Sequence, residues 1–89
     1  MIARHIIFKG NVQGVGFRYR VYRAASGYNV TGYVKNLADG TVEMLIEGDK
    51  HNIDAVLEAI HYAMGSHIRK ELINTRPPTL RYTSFKIAY

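Results

Sequence analysis

The chain has 89 residues and no cysteine, and its 12 lysines and arginines outweigh 7 acidic residues for a formal net charge of +5. One domain of this size buries somewhat over ~60% of its unfolded surface and folds without covalent staples, while the missing cysteines exclude disulfides, thiolate catalysis and cysteine-held metals. No apolar run reaches membrane-spanning length and the first residues lack a secretory pattern, so the expectation is a cytoplasmic protein with no membrane partner.

In chain order, Ile6, Phe8, Gly10 and Val12 alternate with Ile7, Lys9 and Asn11, the period of two of a strand with one better-buried face. Beyond a glycine-rich stretch, Phe17, Val21, Ala24 and Ala25 recur at helical spacing, with Arg20 and Arg23 on the other side. With Gly27 as a terminal cap, they predict a short helix from Phe17 to Ser26. From Tyr28 to Lys35 the residues are largely β-branched or aromatic. The turn signal Asp39-Gly40 then precedes the alternation Thr41 to Glu47. This predicts a hairpin with Val42, Met44 and Ile46 toward the core and Thr41, Glu43 and Glu47 toward water.

Asp49 or Asn52 is suited to cap a second helix, whose apolar stripe is Ile53, Val56, Leu57, Ile60 and Met64 and which Gly65 stops. Residues 66–74 read more weakly as a strand with Ile68 and Leu72 on one face and Ile73 on the other. Pro77-Pro78 breaks the chain, and Phe85, Ile87 and Tyr89 alternate with Ser84, Lys86 and Ala88 in a last strand. The order β-α-β-β-α-β with one extra strand predicts a single α+β domain over residues 1–89. Its plan is the ferredoxin-like, split βαβ sandwich: an antiparallel sheet of four to five strands with two helices packed on one face.

The stretch Gly10 to Arg20 joins the first strand to the first helix through three glycines and carries Arg18. Glycines adopt φ > 0 and let successive N–H groups converge on one point, the helix start adds free donors, and a guanidinium grips two phosphate oxygens at once. The same stretch also reads as an ordinary turn with a solvated arginine. It is not a P-loop, since no Gly-Lys-Ser/Thr follows, nor a dinucleotide fingerprint, since Tyr19 stands where the third glycine belongs. Asn36, at the end of the second strand, is a turn former or an amide that accepts a hydrogen bond from water. His5, His51, His61 and His67 show no metal-ligand spacing, and no metal or cofactor is expected.

Val12-Gln13-Gly14-Val15-Gly16-Phe17-Arg18, followed by Gly32-Tyr33-Val34-Lys35-Asn36 and Asp39-Gly40-Thr41-Val42-Glu43, resembles the acylphosphatase family in both motif blocks and in their separation. The resemblance implies metal-free hydrolysis of a small-molecule acyl phosphate to a carboxylate and inorganic phosphate. By position it also implies that the backbone N–H groups of Gln13, Gly14, Val15, Gly16, Phe17 and Arg18 cradle the phosphate. Arg18 then binds its oxygens, Asn36 holds the attacking water, and Lys35 either aids capture or is solvated.

The segment after Gly65 departs from the family pattern, which predicts a shifted or irregular fourth strand. Acylphosphatase-like domains also occur inside larger carbamoyl-transfer proteins; a chain with its own start and last strand is expected to act independently, as a monomer. The competing plan is an RNA-recognition domain, with Gly14-Val15-Gly16-Phe17 as its aromatic motif. That motif must lie within a strand for its ring to stack on a base, and here it runs into a helix, so nucleic acid is not the expected partner.

Overall fold

The computed structural model describes residues 1–89. It runs β1 (Ile2–Gly10), α1 (Phe17–Ser26), β2 (Val30–Asn36), β3 (Val42–Gly48), α2 (Lys50–Met64), a 3-10 turn (Gly65–His67), β4 (Ile68–Arg76) and β5 (Phe85–Ala88). The strand order is β4-β1-β3-β2-β5. Three pairings are antiparallel, but β5 joins β2 in parallel. The expected antiparallel sheet is therefore mixed. The cause is directional: β4 runs opposite to β2, so a chain that crosses the sheet after β4 and turns back must run along β2.

Strand alternation sorts the side chains. Ile6 and Phe8 of β1, Val30 and Val34 of β2, and Val42, Met44 and Ile46 of β3 meet the helices and are buried. From the other side come Phe17, Val21 and Ala25 of α1 and the predicted stripe Ile53, Val56, Leu57, Ile60 and Met64 of α2, forming one core. Phe8 and Phe17 meet edge to face, with centroids 5.1 Å apart at 63°. Each buries a ring worth ~1.5–3 kcal/mol, which clamps both ends of the connecting loop to the core.

The predicted boundaries of α1 hold. Gly27 and Gly65 end the helices in right-handed rather than left-handed conformation, and Asp49 takes the N-cap position of α2 without a side-chain cap. In its place the Asp49 carbonyl accepts from the N–H groups of Asn52 and Ile53. The fourth strand is displaced to Ile68–Arg76, with a register irregularity against β1 between Lys9 and Gly10.

Glu47 departs most from expectation. It lies on the sheet face away from the helices, yet it is only 1% exposed, and Thr41 is buried as well. Residues 77–84 cross that face as a strap. Glu47 Oε2 accepts from the Thr79 N–H at 2.9 Å and the Thr79 hydroxyl at 2.7 Å, and Oε1 accepts from the Leu80 N–H at 3.0 Å. Leu80 sits at φ 59°, a left-handed conformation that costs an L-residue about 1–2 kcal/mol and that the clamp holds in place. Thr41 is covered differently: its N–H and hydroxyl donate to Asp39 Oδ1, closing the hairpin turn.

Burial pushes the Glu47 carboxyl up, but the Thr79 hydroxyl, the Thr79 and Leu80 N–H groups and nearby Arg81 outweigh it and hold it below the ordinary value of 4.5. A lowered folded value means that the clamp contributes fully above pH 4.5 and is lost as pH falls through the folded value. Glu47→Ala is expected to lose on the order of 3 kcal/mol in urea unfolding at neutral pH, because two strap N–H groups lose a charged acceptor. The gap from wild type should narrow in acid; a gap that widened there would refute the clamp.

Candidate active site

The loop between β1 and α1 is fastened before it becomes a site. The Asn11 N–H donates to the His67 carbonyl at 2.9 Å, and Val12 is buried. The Gln13 amide Nε2 donates to the carbonyls of Leu37 and Thr41, each at 2.8 Å, tying the loop to the β2–β3 turn. Gly14 and Gly16 then take φ 76° and 77°, and a Cβ at either would meet no atom within 4 Å. The requirement for glycine is thus conformational, and the space beside both residues belongs to the cavity they line.

None of the backbone N–H groups from Gln13 through Tyr19 donates to a protein acceptor; the next in line, that of Arg20, reaches the Gly16 carbonyl at 3.1 Å. Helix α1 also begins without a side-chain cap and without an acidic residue in its first turn. A helix start in this state carries partial positive charge and several directed donors, which together favour an anion.

Arg18, in the first turn of α1, adds a full charge that no carboxylate neutralises. Its Nη1 makes one long contact to the Ala88 carbonyl at 3.4 Å, and its Cζ lies 5.0 Å from the centre of the Tyr89 ring. Asn36 ends β2 on the helix side of the sheet. Its Oδ1 is buried and has no hydrogen-bond partner, an arrangement that costs about 1–3 kcal/mol unless a ligand or water fills it.

These groups share a cavity of about 300 Å³ lined by Gly14, Gly16, Phe17, Arg18, Tyr19 and Asn36, with Val12, Ile87 and Tyr89 completing the wall. Of the residues expected at the site, Gln13 and Val15 do not line it. The Gln13 side chain is committed to the hairpin, and Val15 packs against the core. Lys35 points to the opposite face of the sheet from its neighbour Asn36 and lines a different cavity, so it stands away from this one. Phe17 is 1% exposed and cannot stack on a base, which removes the ring on which an RNA-recognition motif would depend. Ile87 and Tyr89 were not foreseen as lining residues. Their alternation was visible, but only the parallel register of Ile87 with Val34 carries that strand to the site.

A family model described as Acylphosphatase matches residues 4–87. The chain belongs to the acylphosphatase family. An acylphosphatase is a hydrolase acting on acyl phosphates, and relatives of that name match closely. An acylphosphatase of Archaeoglobus fulgidus is 39% identical over 95 residues, covering 100% of both chains. Another, of Caldanaerobacter subterraneus, is 48% identical over 58 residues, 65% of this chain and 61% of that one. The crystal structure of acylphosphatase from Bacillus subtilis superposes with a TM-score of 0.88 at 32% identity, covering 100% of both chains. The ferredoxin-like α+β plan is thus shared with a solved acylphosphatase. No helix of this acylphosphatase is long and apolar enough to cross a membrane.

Proposed function

We propose that this chain hydrolyses acyl phosphates without a metal ion, using the N–H groups of the Gln13–Arg18 stretch and the Arg18 guanidinium to hold the phosphoryl group and Asn36 to hold the attacking water. The observation that carries this reading is the run of unpartnered N–H groups from Gln13 through Tyr19, set beside an uncompensated arginine and the partnerless Oδ1 of Asn36.

The donors converge where negative charge builds on the equatorial oxygens of the transferring phosphoryl group, the effect that dominates phosphoryl transfer. Asn36 Oδ1 accepts a hydrogen bond from water and turns its lone pair toward phosphorus. The water oxygen bonds to phosphorus as the bond to the acyl oxygen breaks, and that electron pair leaves with the carboxylate. The water's proton passes to a phosphoryl oxygen, and inorganic phosphate is released.

No carboxylate, imidazole or thiol side chain lines the cavity to hold a metal or serve as base. None is required, because a carboxylate is a good leaving group and the substrate accepts the proton itself. Ile87, Tyr19 and Tyr89 leave an apolar rim for the acyl group, which this arrangement specifies only loosely. The same reading takes the protein as a cytoplasmic monomer, whose size in solution is measurable by chromatography.

Benzoyl phosphate hydrolysis by purified protein in excess chelator tests the proposal. Turnover is expected to be unchanged by the chelator; turnover that vanished and returned with added divalent cation would overturn the metal-free mechanism.

A further inference from the structure

The sheet face away from the helices carries a second cavity, of about 540 Å³, that the hydrolytic site does not use. Its walls include Tyr33 and Lys35 of β2, Glu43 of β3, Arg81 and Tyr82 of the strap, and Lys86 of β5. The Tyr33 and Tyr82 rings lie 5.8 Å apart at 50° and present aromatic surface. None of the three cations is engaged in a salt bridge; the one ion pair that reaches this wall joins Glu43 to His5. Glu43 is the single acid of the lining. Its Oε2 pairs with His5 Nε2 at 2.7 Å, and the carboxylate also faces the Tyr33 phenol.

Each element selects a different part of a ligand. Tilted aromatic rings take a planar ring system by stacking. Unpaired Lys35, Arg81 and Lys86 take an anion. The Glu43 carboxylate among them repels a simple anion and favours a ligand that also carries a hydrogen-bond donor, such as the amino or imino edge of a nucleobase. The Tyr33 phenol, pushed up to about 12 by burial and then by the Glu43 carboxylate it faces, stays protonated. The volume falls in the ~300–1,000 Å³ range of small-molecule sites.

We propose that this cavity binds a single nucleoside phosphate, with its base on Tyr33 and Tyr82, its donor edge on Glu43 and its phosphate on Lys35, Arg81 and Lys86. A nucleic-acid strand is the lesser fit, because one tilted ring pair offers no succession of stacking platforms. The site lies across the sheet from the Arg18 cavity, and residues of β5 form part of both walls.

The test is amide NMR of the full chain titrated with ADP, with inorganic phosphate in excess to occupy the Arg18 cavity and adenosine as control. Saturable shifts are expected at Tyr33, Lys35, Tyr82 and Ser84, and they should persist in Arg18→Ala. Lys86→Gln, at an exposed position, should weaken ADP about tenfold without changing the unfolding temperature, as loss of one charge-assisted contact requires. Tyr82→Leu should weaken ADP and adenosine alike. The proposal is overturned by shifts confined to the Gly10–Gly16 loop, by absence of saturation at millimolar ADP, by equal affinity for adenosine and ADP, or by a short single-stranded oligonucleotide binding more tightly than ADP.

Discussion

Arg18→Ala is expected to lower kcat/KM for an acyl phosphate by about 10²–10³-fold, the loss that follows removal of one preorganised oxyanion donor. The arginine is held ready without being consumed by the protein. Its single hydrogen bond, to the Ala88 carbonyl, is 3.4 Å long, and no carboxylate competes for its charge. On the proposed mechanism its full charge is then available to the phosphoryl group, with little rearrangement when the transition state forms.

Stability should move the other way. A cation in the first turn of a helix opposes the helix dipole by about 0.3–1 kcal/mol, so Arg18→Ala is expected to unfold no earlier than wild type. Arg18→Lys keeps the charge but loses the planar fork, and should fall between wild type and alanine. Undiminished turnover in a folded Arg18→Ala protein would remove this arginine from the mechanism.

The parts of the site that sequence made legible are those encoded locally. Gly14, Gly16 and Arg18 lie within five consecutive residues, and their backbone requirements are set there, by a left-handed conformation at each glycine and a helix beginning directly after. Asn36 reads from its place at a strand end as a turn former as readily as a ligand, and it was singled out only by the resemblance of the two motif blocks to the family. What remained hidden depends on chain that arrives from far away. Alternation put Glu47 on the face opposite Val42 and Met44, which was correct, and water was then assumed on that face. The strap that covers it carries no periodic pattern, and its attachment rests on backbone N–H groups whose residue type is nearly immaterial.

Lys35 and Tyr89 show the same limit from opposite directions. Lys35 neighbours Asn36 in sequence and is separated from it by the thickness of the sheet. Tyr89 is distant in sequence and meets Arg18 only because β5 pairs in parallel with β2. Gln13 was assigned through its backbone, whereas its side chain performs the task the structure reveals, since the two carbonyls it joins are presented only after the hairpin has closed.

Asn36→Ala is expected to lower kcat by on the order of 10²-fold while leaving KM nearly unchanged, because a water no longer held in line is lost from the chemical step and not from phosphate binding. Asn36→Asp sharpens the test. It keeps an acceptor for the water but adds a negative charge against the phosphoryl group, so it should also lose activity, and its KM should rise where that of the alanine variant does not. The unfolding temperature separates this role from a structural one. Asn36 Oδ1 makes no hydrogen bond to the protein, so truncating the side chain breaks no protein contact of that oxygen. Asn36→Ala is therefore expected to unfold within a degree or so of wild type, the pattern of a residue whose polar group serves chemistry rather than the fold. A variant that unfolds several degrees earlier with kcat intact would make Asn36 a structural residue and leave the water without a holder.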